Sequence, residues 1–286
     1  MLNPVQDYET MLLYYTQRAL TNQQDALQAM AGIIRRLSGK MKCRFLEGLP
    51  TAIFDIFILF RQDGSNLHRR RVFPSYSWTG WRGPLNWPYI SQKNKFLKDY
   101  TWIVWYKRSV GGIISLVWDP LANESFPYKN FEYVGYRGRS PFYCPCPLSF
   151  ATTRTLPTDD ITLESTARTY PILQFWTLSV YFNIKITDSI KSGASIIDRF
   201  GHDCGALHLD GLEETNFFNS AGPFEFIALS KAAGWDKLED APEHYNVMIL
   251  EWSQGVAERR GIGWIKQDSV TQSLPPGPAW KEIFLA

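Results

Sequence analysis

The densest set of ionisable side chains in the chain is His202, Asp203, His208, Asp210, Glu213 and Glu214. An extended Ala206–Asp210 would put His208 and Asp210 on one strand face, where an imidazole and a carboxylate can exchange a proton with a substrate. Histidines and carboxylates at a strand-to-turn edge serve more often as hydrogen-bonded surface groups. No nucleophile elbow, phosphate loop or dinucleotide fingerprint accompanies them. His208 and Asp210 are therefore weak acid/base candidates, no catalytic residue is assigned, and the chain is read as not being an enzyme.

Metal chemistry has a similar standing. Cys144-Pro145-Cys146 supplies two thiols, but paired zinc ligands are usually separated by two to four residues. The nearest further ligand types, His202, Cys204 and His208, lie far along the chain. Ordinary loop or core cysteines are the simpler reading, and neither a metal nor another cofactor is expected.

His68-Arg69-Arg70-Arg71 could grip a phosphate, because guanidinium groups pair with it bidentately. The plainer alternative is a solvated basic face. Trp78, Trp81 and Trp87 could stack against sugar rings, which makes a tryptophan-rich carbohydrate-binding or carbohydrate-active β-sandwich the rival reading. Gly80 and Gly83 next to Trp78 and Trp81 favour instead a tight turn that wedges both indoles into a buried corner.

The elements that must position these residues change character along the chain. Tyr8, Met11, Leu12, Tyr15 and Ala19 recur at helical spacing behind Asp7, which predicts an amphipathic helix over 8–19. Thr21 and Gln24 form a capping box for a second helix, with Leu27, Met30, Ile34 and Leu37 on one face and Ser38-Gly39 as its stop. Ile53–Phe60 is apolar almost all round and reads as a buried helix.

Beyond residue 62 the period becomes two. Thr101–Lys107 and Ile113–Trp118 form a hairpin around Ser109-Val110-Gly111-Gly112. Trp176, Leu178, Val180, Phe182, Ile184 and Ile186 line one face of a long strand. Phe131–Tyr136, Ala206–Asp210, Phe224–Lys231, Tyr245–Trp252 and Val256–Lys266 are further strands, and 119–130, 137–169 and 187–203 read as loops. In the last strand Gly261 and Gly263 leave bare backbone over which a neighbouring aromatic could lie. The expected fold is α+β, mainly β. A small helical subdomain (1–62) packs on an aromatic-rich antiparallel β-sandwich or distorted barrel (63–286).

Composition narrows the partners. The chain has 286 residues, 45% of them apolar, with 11 Trp, 14 Tyr and 18 Phe, enough for a thick β-rich core. A net charge of +2 gives no broad reason to expect nucleic acid or an anionic membrane. The N-terminus lacks a secretory pattern, no apolar run is long enough to span a bilayer, and the cysteines do not form a disulfide framework, so a cytoplasmic place is expected.

One resemblance reaches further. Tyr15-Thr16-Gln17-Arg18-Ala19-Leu20-Thr21, Asp25-Ala26-Leu27-Gln28-Ala29-Met30-Ala31-Gly32-Ile33, Gly48-Leu49-Pro50 and Arg70-Arg71-Val72-Phe73-Pro74-Ser75-Tyr76-Ser77-Trp78-Thr79-Gly80-Trp81 occur in this order. Order and spacing resemble the region that follows the HET domain in fungal heterokaryon incompatibility proteins, which show tryptophan where this chain has Tyr76. Val247–Trp252 and Glu258–Trp264 resemble the far C-terminus of those proteins. The HET domain, which in the family precedes this region and is related to the TIR fold, has no counterpart here, so no catalytic position carries over.

The resemblance implies a truncated, C-terminal recognition or regulatory module for non-self-triggered cell death. Its signature residues are Arg71, Pro74, Ser75, Ser77, Trp78, Gly80 and Trp81, and its partner is a protein or the missing N-terminal HET domain. The stripe Tyr8, Met11, Leu12 and Tyr15 is then expected to be partly bare and open to self-association.

Overall fold

The computed structural model describes residues 3–41, 43–64, 67–88, 90, 101–117, 156–159, 168–188, 193–211, 216–219, 222–232 and 243–286. The first helix, α1 (Pro4–Thr16), starts before the expected Asp7. Asn3 caps it, accepting the Val5 N–H at 3.1 Å, and Pro4 sits where a missing N–H costs nothing. Val5, Tyr8, Leu12 and Thr16 are buried within the chain; of the stripe expected to stand partly bare, Tyr8 and Leu12 are covered, Tyr15 is half-buried and Met11 is exposed. Tyr14 is exposed as well.

The second helix is broken where a continuous one is expected. Asn22 caps a 3-10 turn, Gln23–Asp25, and another turn, Gln28–Met30, precedes α2 (Ala31–Met41). The Tyr15 hydroxyl donates to Ala26 O at 2.8 Å, and the Met30 N–H bonds Leu27 O instead, which tightens the turn. Gly39 does not stop α2, which runs on to Met41. The buried run at 53–60 begins with a 3-10 turn, Thr51–Ile53, followed by the single turn α3 (Phe54–Phe57).

The sheet is built from β1 (Tyr106–Arg108), β2 (Ile114–Leu116), β3 (Ile172–Asp188), β4 (Gly193–Ile197), β5 (Asp203–Leu209), β6 (Phe224–Ala232), β7 (His244–Ser253), β8 (Val256–Lys266) and β9 (Ala279–Leu285). Pairing runs β3–β4–β5–β8–β7–β6 and returns to β3, each step antiparallel, so the ring closes as a barrel. The long strand β3 makes closure possible. Asn183 to Asp188 pair with β4, Ser179 to Phe182 with β6, and Leu173 to Ser179 with β9. The β1–β2 hairpin adds to the start of β3 around the expected turn.

Two strands lie where sequence periodicity is too weak to declare them. β4 falls inside the stretch read as the loop 187–203, and β9 follows a Pro-Pro-Gly-Pro segment. The atoms nearest a Cβ built on Gly261 or Gly263 belong to the β5 backbone and to Ile249 and Leu207, not to an aromatic ring. A Cβ at Gly263 would overlap Ala206 O, and one at Gly261 would come within 2.6 Å of His208 O. The β5 backbone itself presses on this seam of the barrel, and that closeness requires glycine. The predicted strand Phe131–Tyr136 and the pair Cys144 and Cys146 lie outside the described residues.

Tyr8, Phe57, Trp78, Phe175, Val247 and Ile283 belong to one hydrophobic cluster, so the core crosses from the helical layer to the barrel without a break at residue 62. No helix among the described residues is long and apolar enough to cross a membrane.

Candidate functional site

The stretch 69–82 connects the helical layer to the barrel, and its residues divide into buried pins and exposed cations. Glu47 and Gly48 form a tight turn with φ of 48° and 84°. Gly48 O receives the Tyr8 hydroxyl at 2.6 Å and the Trp78 Nε1–H at 3.1 Å. Ser77 donates to Glu47 O and accepts from the Thr79 N–H at 3.2 Å, capping a 3-10 turn, Trp78–Gly80. The Trp81 indole donates to Ser75 O at 2.8 Å. A Cβ on Gly80 would overlap the Pro74 carbonyl.

Ser75 ties this stretch to the end of β9. Its N–H donates to Ala286 O at 2.9 Å, its hydroxyl donates to the same oxygen, and its Oγ accepts the Arg259 N–H at 2.8 Å. Trp78 and Trp81 are fully buried and Trp87 is 3% exposed, its indole donating to Phe57 O, so these rings form a buried corner rather than an open platform.

The basic run splits in the same way. Arg69 faces inward: its Nη1 donates to Arg70 O at 2.6 Å, Phe73 O at 2.7 Å and Gly80 O at 3.1 Å, and its other end lies 3.6 Å from Glu258. Arg69 thus moulds the loop. Arg70 lies across the loop, donating from Nε to Gln23 Oε1 at 2.7 Å and from Nη1 to the Trp81 carbonyl. Its partners are neutral, and burial lowers its pKa, with Tyr15 acting against that fall and Arg82 adding to it. Arg71 and Arg82 are exposed. His68 stands directly across from Arg82 in an antiparallel bridge, so their side chains share a face.

These groups line a cleft of about 300 Å³, bounded by Gln23, Gln24, His68, Arg69, Arg70, Arg71, Val72 and Arg82. No carboxylate belongs to that lining among the described residues. In a chain of 30 basic and 28 acidic residues, this is a local concentration of positive charge.

His208 and Asp210 have different hydrogen-bond partners. Asp210 is fully buried and accepts the Arg259 Nε–H at 2.6 Å. Arg259 donates in turn to Ile58 O at 2.9 Å and Phe60 O at 2.5 Å, and its guanidinium lies 3.6 Å from the Phe60 ring centroid. This pair pins the barrel to the helical layer. Burial works against the charge on Arg259, and Asp210 restores it. His208 instead meets Arg61 Nη1 at 3.3 Å through Nε2; burial, then Arg61, lowers its pKa against a smaller opposing pull from Asp210, which favours the neutral ring.

His202, Cys204 and His208 have separate partners. His202 lies 3.6 Å from Asp198, and the Cys204 thiol donates to Ile196 O at 3.3 Å, its pKa pushed up to about 12 mainly by burial. Among the described residues no group of His, Cys, Asp and Glu is placed to hold a metal.

Sequence reasoning missed Gln23, Gln24 and Arg82 as neighbours of the basic run. The signal for Arg82 was present, because it follows Trp81 in the signature stretch. Arg259 was hidden by a bulge: Leu250 pairs Arg259 and Ile249 pairs Gly261, so Arg260 is the extra residue and the strand's alternation resets there.

No protein-family model, curated protein or solved structure matches this chain.

Proposed function

We propose that this chain is a non-catalytic recognition module, similar to the C-terminal region of fungal heterokaryon incompatibility proteins, which engages an anionic partner through the arginine cleft. Its role is recognition or regulation in non-self-triggered cell death, exerted in the cytoplasm on a HET domain or another protein partner. The observation that supports it is the segregation of charge. Arg69, Arg259 and Asp210 are consumed in holding the fold, while Arg70, Arg71 and Arg82 gather around one cleft whose lining carries no carboxylate among the described residues. Binding by guanidinium groups needs no nucleophile or proton carrier.

The carbohydrate-binding alternative gains nothing from Trp78, Trp81 and Trp87, which are buried. Self-association through α1 would have to use Met11 and Tyr14, the large apolar side chains that the helix exposes. The decisive assay incubates the purified chain with nucleotides and with oligosaccharides and follows product by chromatography. No turnover is expected. Hydrolysis that disappears in His208→Ala would end the non-catalytic reading.

A further inference from the structure

We infer that the arginine cleft is a site for the phosphates of a small polyphosphorylated ligand. The inference rests on reading the cleft as the recognition site and adds the ligand's chemistry. Three guanidinium groups bear on it with no countercharge in the lining among the described residues. Arg70 is bonded to Gln23 Oε1 and to backbone carbonyls, all neutral, and its Nη2 keeps its donors. Arg71 and Arg82 are exposed, and among the described residues neither side chain makes a hydrogen bond or ion pair.

Charge count separates the ligand classes. A carboxylate has two oxygens and one charge, which a single guanidinium satisfies. A terminal phosphate has three strong acceptor oxygens and close to two charges, so two linked phosphates match the guanidinium groups of Arg70, Arg71 and Arg82 in the lining. Gln23, Gln24 and His68 add polar groups to the wall, and about 300 Å³ is at the small end of the range for small-molecule sites. The walls are held independently of any ligand: Arg69 fixes the loop through Arg70 O, Phe73 O and Gly80 O, and the Arg70 N–H bonds Gly80 O at 2.7 Å. A preformed frame lowers the ordering cost of binding.

The test is isothermal titration calorimetry of the full chain with pyrophosphate, inorganic phosphate, malonate and a single-stranded oligothymidylate, at near-physiological ionic strength. Pyrophosphate should bind saturably, and more tightly than malonate by about tenfold. Arg71→Gln with Arg82→Gln should weaken it by at least about tenfold while leaving the melting temperature in place, since both side chains are exposed. Arg70 is left unchanged because its replacement would disturb the loop.

Heats that do not saturate, affinity equal for pyrophosphate and malonate, no loss in the double variant, or tighter binding of the oligothymidylate would each overturn the inference. Release of phosphate from bound pyrophosphate would instead refute the non-catalytic reading and leave the ligand assignment standing.

Discussion

At the scale of single residues, Arg259 and Asp210 show how a buried ion pair becomes a rivet. Both side chains are fully buried, and the guanidinium spends its remaining donors on Ile58 O and Phe60 O. Removing one partner strands a charge, so Arg259→Met or Asp210→Asn should cost about 3–5 kcal/mol in urea denaturation, more than the loss of an exposed pair such as Lys231–Glu243. The histidines give a pH signature. Burial lowers the pKa of His208, with Arg61 adding to the effect, and burial lowers that of His244, with Lys266 adding to it. For such a group the folded state binds its proton less readily than the unfolded chain. Its full stability is present above the ordinary value of 6.5 and is lost as pH falls through the lower folded value. Unfolding free energy measured from pH 8 to pH 5 should therefore decline on the acid side, and His208→Gln should flatten that decline.

At the scale of elements, the stretch from Pro74 to Trp81 holds two layers together through its indoles. Trp78 reaches Gly48 on one side, and Trp81 packs near Gly211, where an added Cβ would come within 3.2 Å of the ring. Trp78→Ala or Trp81→Ala should each cost about 3–5 kcal/mol, as expected for a buried large aromatic, and chemical denaturation will measure it. A loss below about 1 kcal/mol would contradict the corner geometry. The short 3-10 pieces before α2 make the same point about local override. Good helical spacing at Leu27, Met30, Ile34 and Leu37 did not yield a single helix, because Tyr15 from α1 occupies the Ala26 carbonyl.

At the scale of the whole molecule, the barrel leans on the helical layer. Arg259 in β8 takes both its carbonyl acceptors from residues 58 and 60, and Ser75 holds the end of β9. One hydrophobic cluster spans both parts. Thermal unfolding followed by far-UV and near-UV circular dichroism should accordingly give one coincident transition. A fragment of residues 63–286, lacking the Ile58 and Phe60 acceptors, should lose the dispersed amide spectrum of a packed protein. A well-dispersed fragment would show that the barrel folds without its helical partner.

The sequence by itself determined the β-rich class, the presence of strands β3, β6, β7 and β8, the helical N-terminus and the burial of Trp78 and Trp81. All of these follow from local periodicity, turn residues and large apolar side chains. It also exposed the basic run at 68–71. Tertiary structure decided the rest: closure of the barrel through the length of β3, the two unannounced strands β4 and β9, and the division of labour among the arginines. That division depends on which guanidinium finds carbonyls within reach. Arg69 meets three and Arg259 two, whereas Arg71 and Arg82 face solvent. Residue type and spacing are identical for an arginine that builds a fold and one that waits for a ligand, and only the distant backbone brought beside each tells them apart.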